Sequence, residues 1–250
     1  RNIRLLVIDT KGVNVWCSSG KEQFNAEEIK KQLDRYDSEI LGQNDKLKLI
    51  LPKLSLSGVN LKKLRKYQIV PVIGPIYRQN IPTYLDECLY KNCNDEKYHF
   101  NLRDRLFTLL PSLTQFSKYL LFYMLGLFIW DYFKPTGIYW QVLAIGFVVG
   151  LLYIILFPFL FTKNFAIKGF VLGLFLNIPF WLNYSCFSVS QILFYTLFIF
   201  GSSIWFGLYY TGNSGTSNYS LVKREIVHFL IPSLLLLLGS LGTIIYMGLA

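Results

Sequence analysis

No C-x-x-C pair occurs anywhere in the chain. Cys17 and Cys186 stand far from any other cysteine, and Cys88 and Cys93 are five residues apart. This spacing excludes a zinc ribbon and a cysteine-ligated iron-sulfur cluster. Four cysteines in 250 residues, with no secretory segment at the start, predict a reducing compartment rather than a disulfide framework. Histidine is scarcer still: only His99 and His228 are present, and neither is an obvious base for a cysteine nucleophile. A phosphate loop is also missing, because Val15 stands where its first glycine would fall and Glu22 follows Lys21 where serine or threonine is needed.

Charge runs short in the second half. Residues 1–115 carry 19 Lys+Arg and 13 Asp+Glu, whereas residues 116–250 carry 6 and 2. That nearly uncharged half predicts five membrane spans: Phe116 to Phe133, Gly137 to Phe161, Phe165 to Tyr184, Val189 to Tyr210 and Ile226 to Leu249. Each is close to the roughly 20 residues that cross a hydrocarbon core. Turn residues separate them, as in "KPTG" and "TGNSGTSNYS". With residues 1–115 in the cytoplasm, the inner loops hold Lys163, Lys168, Lys223 and Arg224, and the outer ones only Lys134, as the positive-inside rule requires. The expected location is the inner (cytoplasmic) membrane, multi-pass, with the C-terminus outside. The net charge of +10 is then topological and directed at the lipid bilayer, and no nucleic acid partner is expected.

The first part alternates strand and helix signals. "IRLLVID" (residues 3–9) is a nearly continuous apolar run, as expected for a strand covered on both faces, and "LKLILP" (47–52) and "IVPVIG" (69–74) are similar. Between and after them lie "AEEIKKQLDRY", with Asn25 and Glu28 as an N-cap signal, then "VNLKKLRKY", then "IPTYLDECLY", with Pro82 in a first-turn position. This order predicts an α/β domain with a mostly parallel sheet, whose ligand sits outside the carboxyl ends of the strands. The segment "NVWCSSGK" (14–21) follows the first of those ends. Read from residues alone, Cys17 is either a small buried hydrophobe or a ligand.

"VIDTKGVNVWCSSGK" resembles the signature of the HgcA family of mercury-methylating corrinoid proteins, N-V-W-C-A-A-G-K behind a strand ending in D-T-K-G. The likeness extends through "LILPKLSLSGV", "VIGPIYRQNIPTYLD" and "YHFNLRDRLFTLLPSLTQF", and the family also carries a following block of membrane helices. Ser18 and Ser19 stand where alanines are common in the family. The resemblance implies a Rossmann-like corrinoid-binding domain over residues 1–112, incomplete at its N-terminus, and a transmembrane domain of five helices over 113–250. It implies that Cys17 is a thiolate ligand on the lower axial face of the cobalt. Around it, Asn14, Val15, Trp16, Ser18, Ser19, Gly20 and Lys21 would form a short helix under the ring. Thr10 and Gly12, with Gly58, Gly74 and Pro75 after the other two strands, would line the site.

The implied activity is corrinoid-dependent methyl transfer to inorganic Hg(II). Its implied partners are a ferredoxin-like electron donor with two four-iron clusters and a methyltetrahydrofolate-linked methyl source. Two other readings remain. One is a corrinoid methyl carrier of acetyl-CoA-type one-carbon metabolism, and the other is a membrane transport or sensing protein whose soluble domain binds a ligand.

Overall fold

The computed structural model describes residues 4–11, 23–35, 47–88, 99–133 and 137–249, the side chains of 87 and 88 excepted. It is mostly helical, with one small parallel sheet and four helices long and apolar enough to cross a membrane. Two compact units emerge. The first comprises Arg1–Phe100 and Gly212–Leu221, the second Asn101–Thr211 and Val222–Ala250. A boundary between the units falls at 100/101, and a ten-residue segment from the second half of the chain belongs to the first unit.

In the first unit, helix α1 (Ala26–Asp34) starts where the Asn25 carboxamide accepts from the Glu28 N–H at 2.8 Å. Strand β1 (Lys48–Leu51) is followed by α2 (Leu61–Lys66), which Asn60 caps through the N–H groups of Lys62 and Lys63. Strand β2 (Val70–Ile73) pairs parallel to β1 in the register Leu49 opposite Pro71. Proline at that register cannot donate a ladder bond, which suits an edge strand. Helix α3 (Ile81–Thr83) has Pro82 in its first turn and runs into a π turn, Tyr84–Cys88. Ala26, Ile29, Leu33, Leu51, Val59, Leu64 and Ile69 form the core beneath. Lys63 hydrogen-bonds Glu27 across α1 and α2 and holds that carboxyl below its usual range.

The expected first strand differs. Residues 4–10 carry no regular secondary structure and no ladder to β1, yet their burial alternates as in a strand. Leu6 and Ile8 pack on the core while Leu5 and Val7 stay 90% and 80% exposed. An apolar run shows which residues could be covered on both faces; among the described residues only the face of Leu6 and Ile8 has a covering layer.

In the second unit, α4 (Leu102–Phe133) precedes α5 (Tyr139–Leu156), α6 (Phe165–Leu182), α7 (Val189–Asn213) and α8 (Tyr219–Leu249). The four helices from α5 onward are the membrane-length ones. Of the five spans expected, four are long and apolar enough among the described residues. The span drawn at Phe116 to Phe133 lies within α4, where Gln115, Ser117, Lys118 and Asp131 dilute the apolar run.

Helix α7 is central, with 67% of its apolar window buried against 17% for α8. Glycines let backbones meet there: a Cβ on Gly169 of α6 would lie 2.2 Å from the Ser203 carbonyl oxygen of α7, and one on Gly207 of α7 2.5 Å from that of Phe165. Such small-residue contacts are how helices pack where lipid removes the hydrophobic drive between them.

Polar contacts gather at one end of this bundle. Arg105 near the start of α4 donates to the carbonyls of Ile154 and Ile155 at 2.9 and 3.0 Å, at the close of α5. Lys168 donates to the carbonyls of Phe157 and Leu160 in the connection that follows. Glu225 of α8 accepts from the N–H groups of Phe165 and Ala166 at 2.6 and 2.7 Å, at the start of α6. Each charge matches the helix end it meets, cations on orphan carbonyls and the anion on orphan N–H groups. At the opposite end, Leu127 of α4 clusters with Ile138, Val142, Phe194, Tyr195 and Ile244. Neighbouring helices therefore alternate in direction, and α4 runs the length of the bundle from Arg105 to Leu127.

Candidate functional site

The sequence reading anticipates a site outside the carboxyl ends of the strands of the first unit. After β1, Pro52 leads into a tight turn, Lys53–Ser55, and then Leu56 to Gly58; the Ser55 hydroxyl closes it on the Pro52 carbonyl at 2.8 Å, and the Val59 N–H bonds Ser55 at 3.2 Å. After β2, the Gly74 N–H returns to the Leu51 carbonyl at 2.8 Å, which ties the two carboxyl ends together. The Tyr84 hydroxyl donates to the Ile73 carbonyl at 2.8 Å, and burial pushes that phenol up.

Of the residues singled out in the sequence, Gly58, Gly74 and Pro75 do follow the two paired strands. Gly74 has a packing reason of its own: an added Cβ would come 2.8 Å from the Ile50 side chain and 3.2 Å from the Leu51 carbonyl oxygen. Its lack of a side chain serves β1. Thr10 is half-buried at the end of the first extended segment, and Lys11 follows with φ 52°, its N–H on the Asp9 carboxylate at 2.7 Å. That left-handed residue turns the chain as the motif begins. Gly12, Asn14, Val15, Trp16, Cys17, Ser18, Ser19, Gly20 and Lys21 lie outside the described residues, as does Cys93. His99 is exposed, Cys186 is exposed on the turn Tyr184–Cys186, and His228 bonds the Arg224 carbonyl at 2.7 Å.

Two residues at this edge escaped the sequence reading. Ser57 is 3% exposed, and its hydroxyl has no hydrogen-bond partner among the described residues. A buried hydroxyl without a partner costs about 1–3 kcal/mol, so the turn holds a polar group that a ligand could satisfy. The small-residue run "LSLSGV" was its only signal. Tyr84 had none, since the contact with Ile73 spans 11 residues across a helix start.

Most residues that would hold a corrinoid lie outside the described ones; at the described edge, Ser57, whose buried hydroxyl has no partner among the described residues, stands beside Gly58. Among the described residues, no three His, Cys, Asp or Glu converge. Comparison with protein-family models, curated proteins and solved structures returns no match. The likeness to the mercury-methylating corrinoid family therefore rests on the motif itself and on its position in the chain.

Proposed function

We propose that this chain is a membrane-anchored, corrinoid-dependent methyltransferase that methylates inorganic mercury. The observation that carries the reading is the segment "DTKGVNVWCSSGK", in which one cysteine stands among small residues directly after an apolar run. A bound corrinoid supplies methyl transfer, chemistry that no side chain provides. Cys17, as a thiolate, would hold the metal of that group as a soft and strongly donating ligand, suited to a soft transition metal. Ser18, Ser19 and Gly20 offer backbone without bulk, so a flat ring can approach closely. Gly58 follows the turn after the first paired strand, Thr10 and Gly12 follow the first apolar run in sequence, and the buried Ser57 hydroxyl is a polar group without a partner among the described residues. Asn14, Val15, Trp16 and Lys21 complete the segment, and Gly74 and Pro75 the second strand end. Electrons come from a ferredoxin-like partner with two four-iron clusters, and methyl groups from a methyltetrahydrofolate-linked donor.

Purified full-length chain incubated with hydroxocobalamin is expected to retain it through gel filtration, one corrinoid per chain by visible absorbance. Passage of the protein without colour would refute the reading.

The membrane arrangement belongs to the same proposal. The segment Gly212–Leu221 shares a compact unit with the first hundred residues, which supports a reading in which both are cytoplasmic. Helix α8 then carries the C-terminus to the other side. In this reading, counting back through α7, α6 and α5 puts residue 137 on the side opposite residue 100, and α4 is the fifth crossing. Its polar face supports this crossing: Arg105, Thr108 and Ser112 are buried within the bundle, while Phe107, Leu110, Phe122 and Phe128 face outward. Five crossings with a cytoplasmic first unit predict that alkaline phosphatase fused at the C-terminus is active in intact cells. An inactive fusion, with the protein inserted at normal levels, would contradict the topology.

A further inference from the structure

We infer that the loop between α7 and α8 completes the ligand edge of the first unit, so that the membrane half of the chain contributes to the soluble site as well as anchoring it. The inference extends the reading above: the ligand is the corrinoid class proposed there, but the docking itself rests on separate geometry.

The loop has a fixed shape. Ser214 and Ser217 are buried, at 0% and 8% exposure. The Ser214 hydroxyl pairs with that of Thr216 at 2.7 Å and accepts from the Thr216 N–H at 3.1 Å, and the Ser217 hydroxyl donates to the Ser214 carbonyl at 3.1 Å. Asn218 then caps α8, its side-chain oxygen accepting from the Leu221 N–H at 2.9 Å. Tyr219 is thus the first helical residue of α8. Its N–H is one of the donors that a helix leaves without an internal partner. Here it donates to the Leu56 carbonyl at 2.6 Å.

Leu56 belongs to the turn after β1, between Ser55 and the partnerless Ser57 hydroxyl, with Gly58 next. In open parallel sheets ligands bind just outside this strand end. A ligand bound outside this strand end would therefore lie against a turn whose backbone is fixed by the start of a membrane helix. Loosening that bond frees the turn. A site built only from the first hundred residues lacks this support.

Proline at position 219 isolates the bond. It removes the N–H, yet it suits the first helical position, where no internal bond is lost. Alanine at 219 keeps the N–H and serves as control. In the full chain, Tyr219→Pro is expected to raise amide exchange at residues 53–59 about ten-fold and to weaken hydroxocobalamin retention about ten-fold, with Tyr219→Ala unchanged in both. Unaltered exchange in Tyr219→Pro would overturn the docking. Raised exchange with undiminished retention would overturn the contribution to the site. If the wild-type chain retains no hydroxocobalamin while exchange still responds, the docking stands and the corrinoid reading falls.

Discussion

Glu225→Ala is expected to lower the unfolding free energy of the detergent-solubilised protein by about 3 kcal/mol, a large part of the 5–15 kcal/mol typical of folded proteins. The carboxylate is 1% exposed and accepts from both the Phe165 and Ala166 N–H groups at the start of α6. Asn164, at the N-cap position, makes no side-chain capping bond. The cap of this helix is therefore supplied by another helix 60 residues away. Alanine would leave two donors without an acceptor in a water-poor setting, each at a cost of about 1–3 kcal/mol. Glutamine keeps one acceptor oxygen and should lose about half as much. Thermal unfolding followed by circular dichroism measures the difference. Equal melting temperatures for wild type and Glu225→Ala would show that water takes over the cap.

Cys17→Ala is expected to abolish methylmercury formation while leaving corrinoid uptake largely intact, because ring contacts supply most of the burial. Loss of a partner that merely orients a ligand costs about 10–100-fold at metal sites, and loss of the ligand itself should exceed that. The visible absorption should shift as the axial donor changes. Cys17→His is the sharper probe: imidazole ligates cobalt but donates less than thiolate, so it should restore coordination more fully than methyl transfer. Cys88→Ala and Cys93→Ala, outside the motif, should leave activity near wild type.

Local signals carried much of the fold. Asn25 followed by Glu28 announced α1, and the runs at 47–52 and 69–74 became the two paired strands. What the sequence left unread depended on distant partners. The polar residues before Phe116 looked like the end of a soluble domain, yet Arg105, Thr108, Ser112 and Phe116 recur at helical spacing and all turn inward on α4. Arg105 is tolerated there because the last carbonyls of α5 lie within its reach, 49 and 50 residues along the chain. The docking of Tyr219 on Leu56 joins positions from opposite halves of the sequence, and no local pattern marks it. For the candidate site, the carboxyl-edge placement of Gly58 and Pro75 followed from strand order alone. Gly74 has a packing reason that no local pattern shows, since an added Cβ would meet the side chain of Ile50 on the neighbouring strand.

The most direct test of the account is methylmercury formation by anaerobic cells that co-express the full-length chain with the two-cluster ferredoxin and receive inorganic mercury. Wild type should form methylmercury, and Cys17→Ala, present at the same level in the membrane and loaded with corrinoid, should form none above background. Equal methylmercury from both proteins, or none from a corrinoid-loaded wild type, would contradict it.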